Sequence, residues 1–367
     1  MLNGRPIIAE LDLDALRHNV DVVRSFSKSA KVFGVVKANA YGHGLANILP
    51  ALSNLDGLAV VEMEAAELIR ERDEACRILL LQGVFEEADL EDALRLNLDL
   101  VVHTEEQVCY LERCFRDQQL NIFLKINTGM NRLGFSPGEA LSVYHRLLRC
   151  DSVAEITVMT HYADADNARG TGWQDAILAE TFGDMDVKTS LSNSAALINK
   201  RSISESWVRP GIMLYGASPT VDVDASSLNL RPVMTLKTQV IGVQNISRGE
   251  RVGYGGTFEA KFDMRVGILS GGYGDGYPRS APSGTPVIVG GKKTSTLGRV
   301  SMDSVAVDLT HLPAAQIGSE VVLWGRGLPV EIVADHSGTI SYELLTRICG
   351  RVPFVIEGDA DSTRLQR

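Results

Sequence analysis

Short apolar runs alternate with amphipathic stretches through more than half of the chain. The first run, residues 32–36, is rich in β-branched side chains and leads into Lys37 and a loop of Gly, Asn and His. Further candidate strands fall at 57–62, 78–82, 98–103, 122–127, 156–161, 188–192 and 207–211. Helical stretches rich in Ala, Glu, Leu and Arg separate most of them, at 65–75, 90–96, 105–116 and 139–149. Another helix opens near Asp12, with Leu13, Leu16, Val20 and Val23 at near-helical spacing behind an acidic start. Near-continuous apolar strands joined by helices predict a parallel sheet. Eight such units predict a closed (β/α)₈ barrel of the TIM type more readily than an open sheet.

Beyond about residue 225 the pattern changes. Val-, Thr- and Ile-rich stretches at 234–243, 265–270, 286–289 and 304–309 are separated by Gly-rich turns, and helical spacing returns only at 342–349. The chain therefore reads as a barrel over residues 1–225, an α/β domain, followed by a mostly β C-terminal domain over 226–367, with 222–230 as the linker.

Barrel folds carry their chemistry at the C-terminal ends of the strands. Lys37, Asn127, His161, Asn193 with Ser194, and Arg209 all fall at or just past such ends. A lysine at the mouth of a buried strand is desolvated, which lowers its pKa and makes its amine a nucleophile toward carbonyl groups. Asn193-Ser194 places a hydroxyl and N–H groups where a helix begins, a setting suited to phosphate or to simple capping. Arg209-Pro210-Gly211 offers a fixed cation beside a glycine that permits close approach. Lys125 and Arg132 flank one loop, where an arginine can hold a carboxylate in bidentate fashion. Tyr254, Tyr273 and Tyr277 sit among glycines, so they are expected to project into a site or an interface.

Composition narrows the partners. The apolar fraction of 45% and charged fraction of 22% are those of an ordinary globular chain, and the formal charge of −10 speaks against nucleic acid or an anionic membrane. The five cysteines lack metal-ligand spacing and are expected as free, mostly buried thiols, so no metal site is predicted. No signal peptide or long apolar segment is evident, which predicts a cytoplasmic protein acting on a small molecule.

The segment from Val35 to Gly44, with Lys37, Asn39, Tyr41 and His43 in it, closely resembles the cofactor-lysine signature of bacterial alanine racemases, which are fold-type III pyridoxal-phosphate enzymes. Gly129-Met-Asn-Arg132-Leu-Gly134, His161-Tyr162-Ala163, Asn193-Ser194-Ala195, Arg209-Pro210-Gly211-Ile212, Gly253-Tyr254-Gly255, Gly272-Tyr273-Gly274, Ser301-Met302-Asp303 and Tyr342-Glu343 resemble further family motifs in family order. They span nearly the whole chain. Asn127 stands where many members have aspartate, and Phe354 where many have arginine.

The resemblance implies a racemase that interconverts L- and D-alanine by two bases on opposite faces of the substrate, Lys37 for the D face and Tyr254 for the L face. It implies that Lys37 carries pyridoxal 5'-phosphate, that His161 and Arg209 support Tyr254, and that Arg209 faces the pyridine nitrogen. The phosphate would be held by Tyr41, Ser194, Tyr342 and the N–H groups of Gly211 and Ile212. Arg132 would serve the cofactor and, with Met302 and Tyr273, the substrate carboxylate and pocket, and Lys125 matches a lysine that is often carbamylated. A homodimer with shared sites follows, because the Tyr254-like residue reaches the other subunit's lysine. The expected product is D-alanine as a peptidoglycan precursor, with catabolic use as the other role. Broader specificity, serine included, is the rival reading; a pyridoxal-phosphate carrier protein would leave the second domain without a purpose.

Overall fold

The computed structural model describes residues 4–114, 118–183, 185–200, 202–358 and 365–366. Eight parallel strands close a barrel: β2 (Lys31–Val35), β3 (Gly57–Val60), β4 (Ile78–Leu80), β5 (Leu98–Val102), β6 (Leu120–Lys125), β7 (Val153–Met159), β8 (Lys188–Ser190) and β9 (Trp207–Val208). Closure is made by Lys31 and Val32 pairing with Trp207 and Val208. All of β3 and β5 is buried, as expected of strands covered on both faces. Phe33 stacks on Trp207 at 4.1 Å between ring centres, with Phe123 edge-on at 5.7 Å from Phe33, so aromatic rings fill part of the barrel interior.

Each predicted barrel strand overlaps an observed one, with β2, β6 and β7 beginning one to three residues earlier than expected. The helix after Asp12 is Leu13–Ser27, capped by the Asp12 carboxylate accepting from Ala15 N at 2.8 Å. The stretch expected at 105–116 is helical over Glu105–Arg113, and its residues 115 and 116 lie outside the described residues.

Ahead of the barrel runs β1 (Ile8–Asp12), to which the periodicity assigned no element. It pairs antiparallel with β10 (Met234–Ile246) and parallel with β18 (Phe354–Glu357), more than two hundred positions away in sequence. The later strands are β11 (Arg251–Val252), β12 (Phe258–Glu259), β13 (Met264–Ser270), β14 (Pro286–Val289), β15 (Lys292–Leu297), β16 (Ser304–Asp308), β17 (Glu320–Trp324) and β19 (Leu365–Gln366). Except for the β11–β12 hairpin, they form with β1, β10 and β18 a nine-stranded sheet in the order β13-β16-β15-β14-β17-β10-β1-β18-β19. Arg5 ties the N-terminal segment to this domain, donating to both oxygens of the buried Asp275 carboxylate at 2.7 and 2.8 Å.

One contact between the two parts sets up the site. The helix Ser341–Thr346 lies over the barrel mouth and brings Tyr342 to within 5.9 Å of Tyr41, ring centre to ring centre. Gly42 makes that approach possible. Its φ is +79°, and a Cβ there would lie 2.1 Å from the Leu345 carbonyl oxygen.

Candidate active site

Immediately after β2 the chain does something that hydrophobic patterning cannot signal. Ala38, Asn39, Ala40 and Tyr41 all take left-handed φ values, between +51° and +56°. A run of non-glycine residues there costs about 1–2 kcal/mol per residue. Local bonds hold it. Ala40 N donates to Val36 O at 2.9 Å, and Leu45 N to the Asn39 side chain at 2.8 Å. His43 Nδ1 lies 3.1 and 3.0 Å from the carbonyl oxygens of Ala40 and Tyr41, so Nδ1 carries the proton. Burial pushes the His43 pKa down to about 4, so the ring is a neutral strut.

The strained turn borders a cavity of about 820 Å³ at the C-terminal mouth of the barrel. Besides Asn193, ten residues singled out from the sequence line it: Lys37, Tyr41, Lys125, Arg132, His161, Ser194, Arg209, Gly211, Ile212 and Tyr342. Another cavity, about 540 Å³, lies where β3 and β4 begin, and none of those ten borders it.

The mouth carries a surplus of positive charge. Lys37, Lys125, Arg132 and Arg209 line it with Glu343 as the single carboxylate among the described residues, and Glu343 is paired with Arg347 at 3.2 Å. Burial first and then Arg132 lower the Lys37 pKa; Glu62 pulls the other way, and Arg209 adds a smaller lowering. Lys125 is 7% exposed and is pushed down to about 8 by burial and then by Arg209, Arg132 and Lys37. His161 is held well below its ordinary value by burial and the same four cations, so its ring is neutral.

Arg209 is buried and locked. It donates to Ser190 O and Ser190 Oγ, each at 2.6 Å, and to Thr160 O at 2.7 Å. Ser194 begins the helix Ser194–Asn199 behind an Asn193 cap, and its Oγ accepts from Gly211 N at 2.9 Å. Gly211 is needed for closeness: a Cβ there would fall 2.3 Å from the Tyr41 hydroxyl. Asn127 accepts from Gly129 N and Asn131 N at 3.1 and 2.9 Å, building the turn before Arg132.

The remaining candidates lie elsewhere. Tyr254 is 68% exposed, Met302 is 51% exposed and Tyr273 is half-buried under the Arg279 guanidinium; none lines the cavity of its own chain. Tyr273 and Met302 are neighbours, since Tyr273 N donates to Ser301 O at 3.0 Å and Gly274 N to Met302 O at 2.9 Å. Tyr277 departs from the expectation for glycine-flanked tyrosines. Its ring is fully buried and stacked 5.9 Å from Trp324, so it is core. The five cysteines are free but half-buried rather than buried.

The N-terminal domain model of alanine racemases matches residues 11–219, and the C-terminal domain model matches residues 233–356. The chain belongs to the alanine racemases. It is 48% identical over 356 residues to the alanine racemase of Nitrosomonas eutropha, covering 96% of this chain and 99% of that one. It is 46% identical over 352 residues to the catabolic alanine racemase of Salmonella typhimurium, again 96% of this chain and 99% of that one. The crystal structure of the biosynthetic alanine racemase from Pseudomonas aeruginosa superposes with a TM-score of 0.93 at 43% identity, covering 97% of this chain and all of that one. The chain is thus an amino-acid racemase acting on alanine, in a family that depends on pyridoxal phosphate. Among the described residues no helix is long and apolar enough to cross a membrane.

The depressed Lys125 pKa makes a stability prediction for the racemase without cofactor. The folded value, about 8, lies below the unfolded 10.5. Between them the unfolded chain binds the extra proton, so this group's contribution to stability rises with pH across that window. Below it, the folded state bears the full cost of the buried charge. Lys125→Met should therefore stabilise the apoprotein at pH 7 by up to roughly 3 kcal/mol, with the gain shrinking toward pH 10. Urea titrations at the two pH values measure it, and an equal effect at both would refute the assignment.

Proposed function

We propose that Lys37 and Tyr254 are the two bases of the racemisation, that Lys37 anchors pyridoxal 5'-phosphate, and that each complete site is built from two subunits. The observation that carries the cofactor assignment is the charge of the mouth. Among the described residues, four basic side chains, Lys37 with its lowered pKa among them, share a cavity of about 820 Å³ with a single carboxylate. That donor set fits an anionic phosphate, an anionic ring oxygen and a substrate carboxylate together.

When bound, the cofactor acidifies Cα–H of alanine by drawing electron density into its ring. The protein's own groups do the rest. Tyr41, Ser194, Tyr342 and the N–H groups of Gly211 and Ile212 would hold the phosphate; Gly211 N, now bonded to Ser194 Oγ, would turn to it. Arg209 would face the pyridine nitrogen as a permanent cation and so keep that nitrogen unprotonated. Arg132 orients the carboxylate, and a carbamylated Lys125 would in turn orient Arg132. The cation-crowded, partly dry setting of Lys125 favours the neutral amine that reacts with CO₂. Lys37 Nζ removes or returns the Cα proton on the D face, and Tyr254 Oη does so on the L face.

Tyr254, Tyr273 and Met302 stand outside the cavity of their own chain, which supports their delivery to the cavity of a second copy in a head-to-tail homodimer. The neutral His161, backed by Arg209, would then meet Tyr254 and stabilise its phenolate. The cytoplasm is the proposed compartment, since all five thiols are free.

Borohydride treatment of the purified protein with pyridoxal phosphate, followed by peptide mapping, tests the anchor. The expected result is loss of an absorbance band near roughly 420 nm and a pyridoxyl label on Lys37. A saturated protein that remains unlabelled would overturn the reading.

A further inference from the structure

Behind the mouth, away from the cavity lining, lies a buried carboxylate with no part in the scheme above. Glu205 is 6% exposed, and its Oε2 accepts from Leu191 N at 2.9 Å and from Ser192 N at 2.7 Å. Its Oε1 accepts from Ser192 Oγ at 2.6 Å and meets Lys200 Nζ at 3.4 Å. The other edge of the same short segment faces Arg209. Arg209 N donates to Ser192 O at 2.9 Å, and the guanidinium donates to Ser190 O at 2.6 Å and Leu191 O at 3.4 Å.

Residues 190–192 are therefore held between two charges of opposite sign. The carboxylate takes the N–H groups of 191 and 192, and Arg209 takes the carbonyls of 190, 191 and 192. Each charge polarises the peptide units toward the other, which strengthens both sets of bonds in a water-poor interior. No carboxylate pairs directly with Arg209 among the described residues, and Glu205 is the counter-charge that acts on it through the backbone. Two residues further on, the segment delivers Asn193 and Ser194 to the mouth.

We infer that Glu205 is a positioning residue of the racemase: it fixes the 190–194 segment, and through it the placement of Arg209 and Ser194 toward the cofactor. This rests on the reading that Arg209 faces the pyridine nitrogen and Ser194 the phosphate. Glu205→Ala strips both N–H groups of their acceptor, whereas Glu205→Gln keeps an oxygen able to accept from both. Arg132 hangs on the loop after β6, outside this segment, so the grip on the substrate carboxylate is unaffected.

The test is a titration of pyridoxal phosphate into the apo forms of the full-length protein, read by fluorescence quenching, with steady-state kinetics on alanine alongside. Glu205→Ala should weaken cofactor binding about tenfold or more and lower kcat, with KM for alanine within about twofold of the parent protein. Glu205→Gln should restore cofactor affinity to within about threefold. A folded Glu205→Ala protein with parental affinity would overturn the inference, as would equal losses in the two variants. Should Glu205→Ala fail to fold, Glu205→Asp decides: withdrawn by one methylene, its carboxylate should still lose affinity by more than about threefold, and parental affinity would overturn the inference. Failure of the underlying reading looks different, because the parent protein itself would then bind no pyridoxal phosphate.

Discussion

Lys37→Ala should leave a folded protein with no measurable racemase activity, a loss on the order of 10⁴-fold or more, because one side chain performs two jobs. On the proposed reading it anchors the cofactor and, once freed, moves the proton on the D face. Folding should survive. The amine sits in a cation-rich, partly buried place that disfavours its charged form, so deleting it removes an electrostatic cost at neutral pH. The lowered pKa also fixes the sign of a pH effect. A base must be unprotonated to accept a proton, and the amine of Lys37 is free only with substrate bound, so the limb of the kcat profile belonging to Lys37 should lie below the ordinary lysine value of 10.5. Coupled assay with a D-amino-acid oxidase, together with a thermal melt, makes the measurement. Small primary amines added to the variant should restore part of the proton transfer. Activity above about a hundredth of the parent, without added amine, would remove Lys37 from both jobs.

The barrel was legible because burial on both faces leaves most of its strands nearly continuous runs of apolar residues, and helices with clear spacing separate them. The strand end after each run then located Lys37, His161, Ser194 and Arg209 without further information, and all four line one cavity. The motif resemblance added Tyr41 and Tyr342, which periodicity could not have joined, since Tyr342 arrives on a helix from the far end of the chain. Other features left no local signal. β1 is short, and both its partners lie across the whole barrel in sequence. The left-handed turn at 38–41 uses alanines, an asparagine and a tyrosine, none of which announces a positive φ as glycine does. Tyr277 shares its glycine-rich surroundings with Tyr273, and only the three-dimensional position of Trp324 decides that it packs as core. Glu205 reads in the sequence as an ordinary charge between two serines, although its four contacts make it a structural hub.

Mixing two dead enzymes should produce a live one. On the proposed reading Tyr254→Phe removes the base of the L face and should lower activity on the order of 10²–10⁴-fold, while Lys37→Ala removes the anchor and the base of the D face. If each site draws Lys37 from one chain and Tyr254 from the other, a heterodimer of the two variants holds one site with both defects and one with neither. Random exchange of equal amounts puts half of the chains into heterodimers, each with one intact site, so about a quarter of the parental activity should return. Were both residues of a site to come from the same chain, every site in every dimer would carry a defect and nothing would return. The exposed position of Tyr254, outside its own chain's cavity, favours the first arrangement. Differently tagged variants, exchanged and then purified through both tags, would give a pure heterodimer and raise the expected value to about half. Persistent inactivity of that species, with cofactor shown to be bound, would place Tyr254 outside the shared site and return the L-face proton to another group.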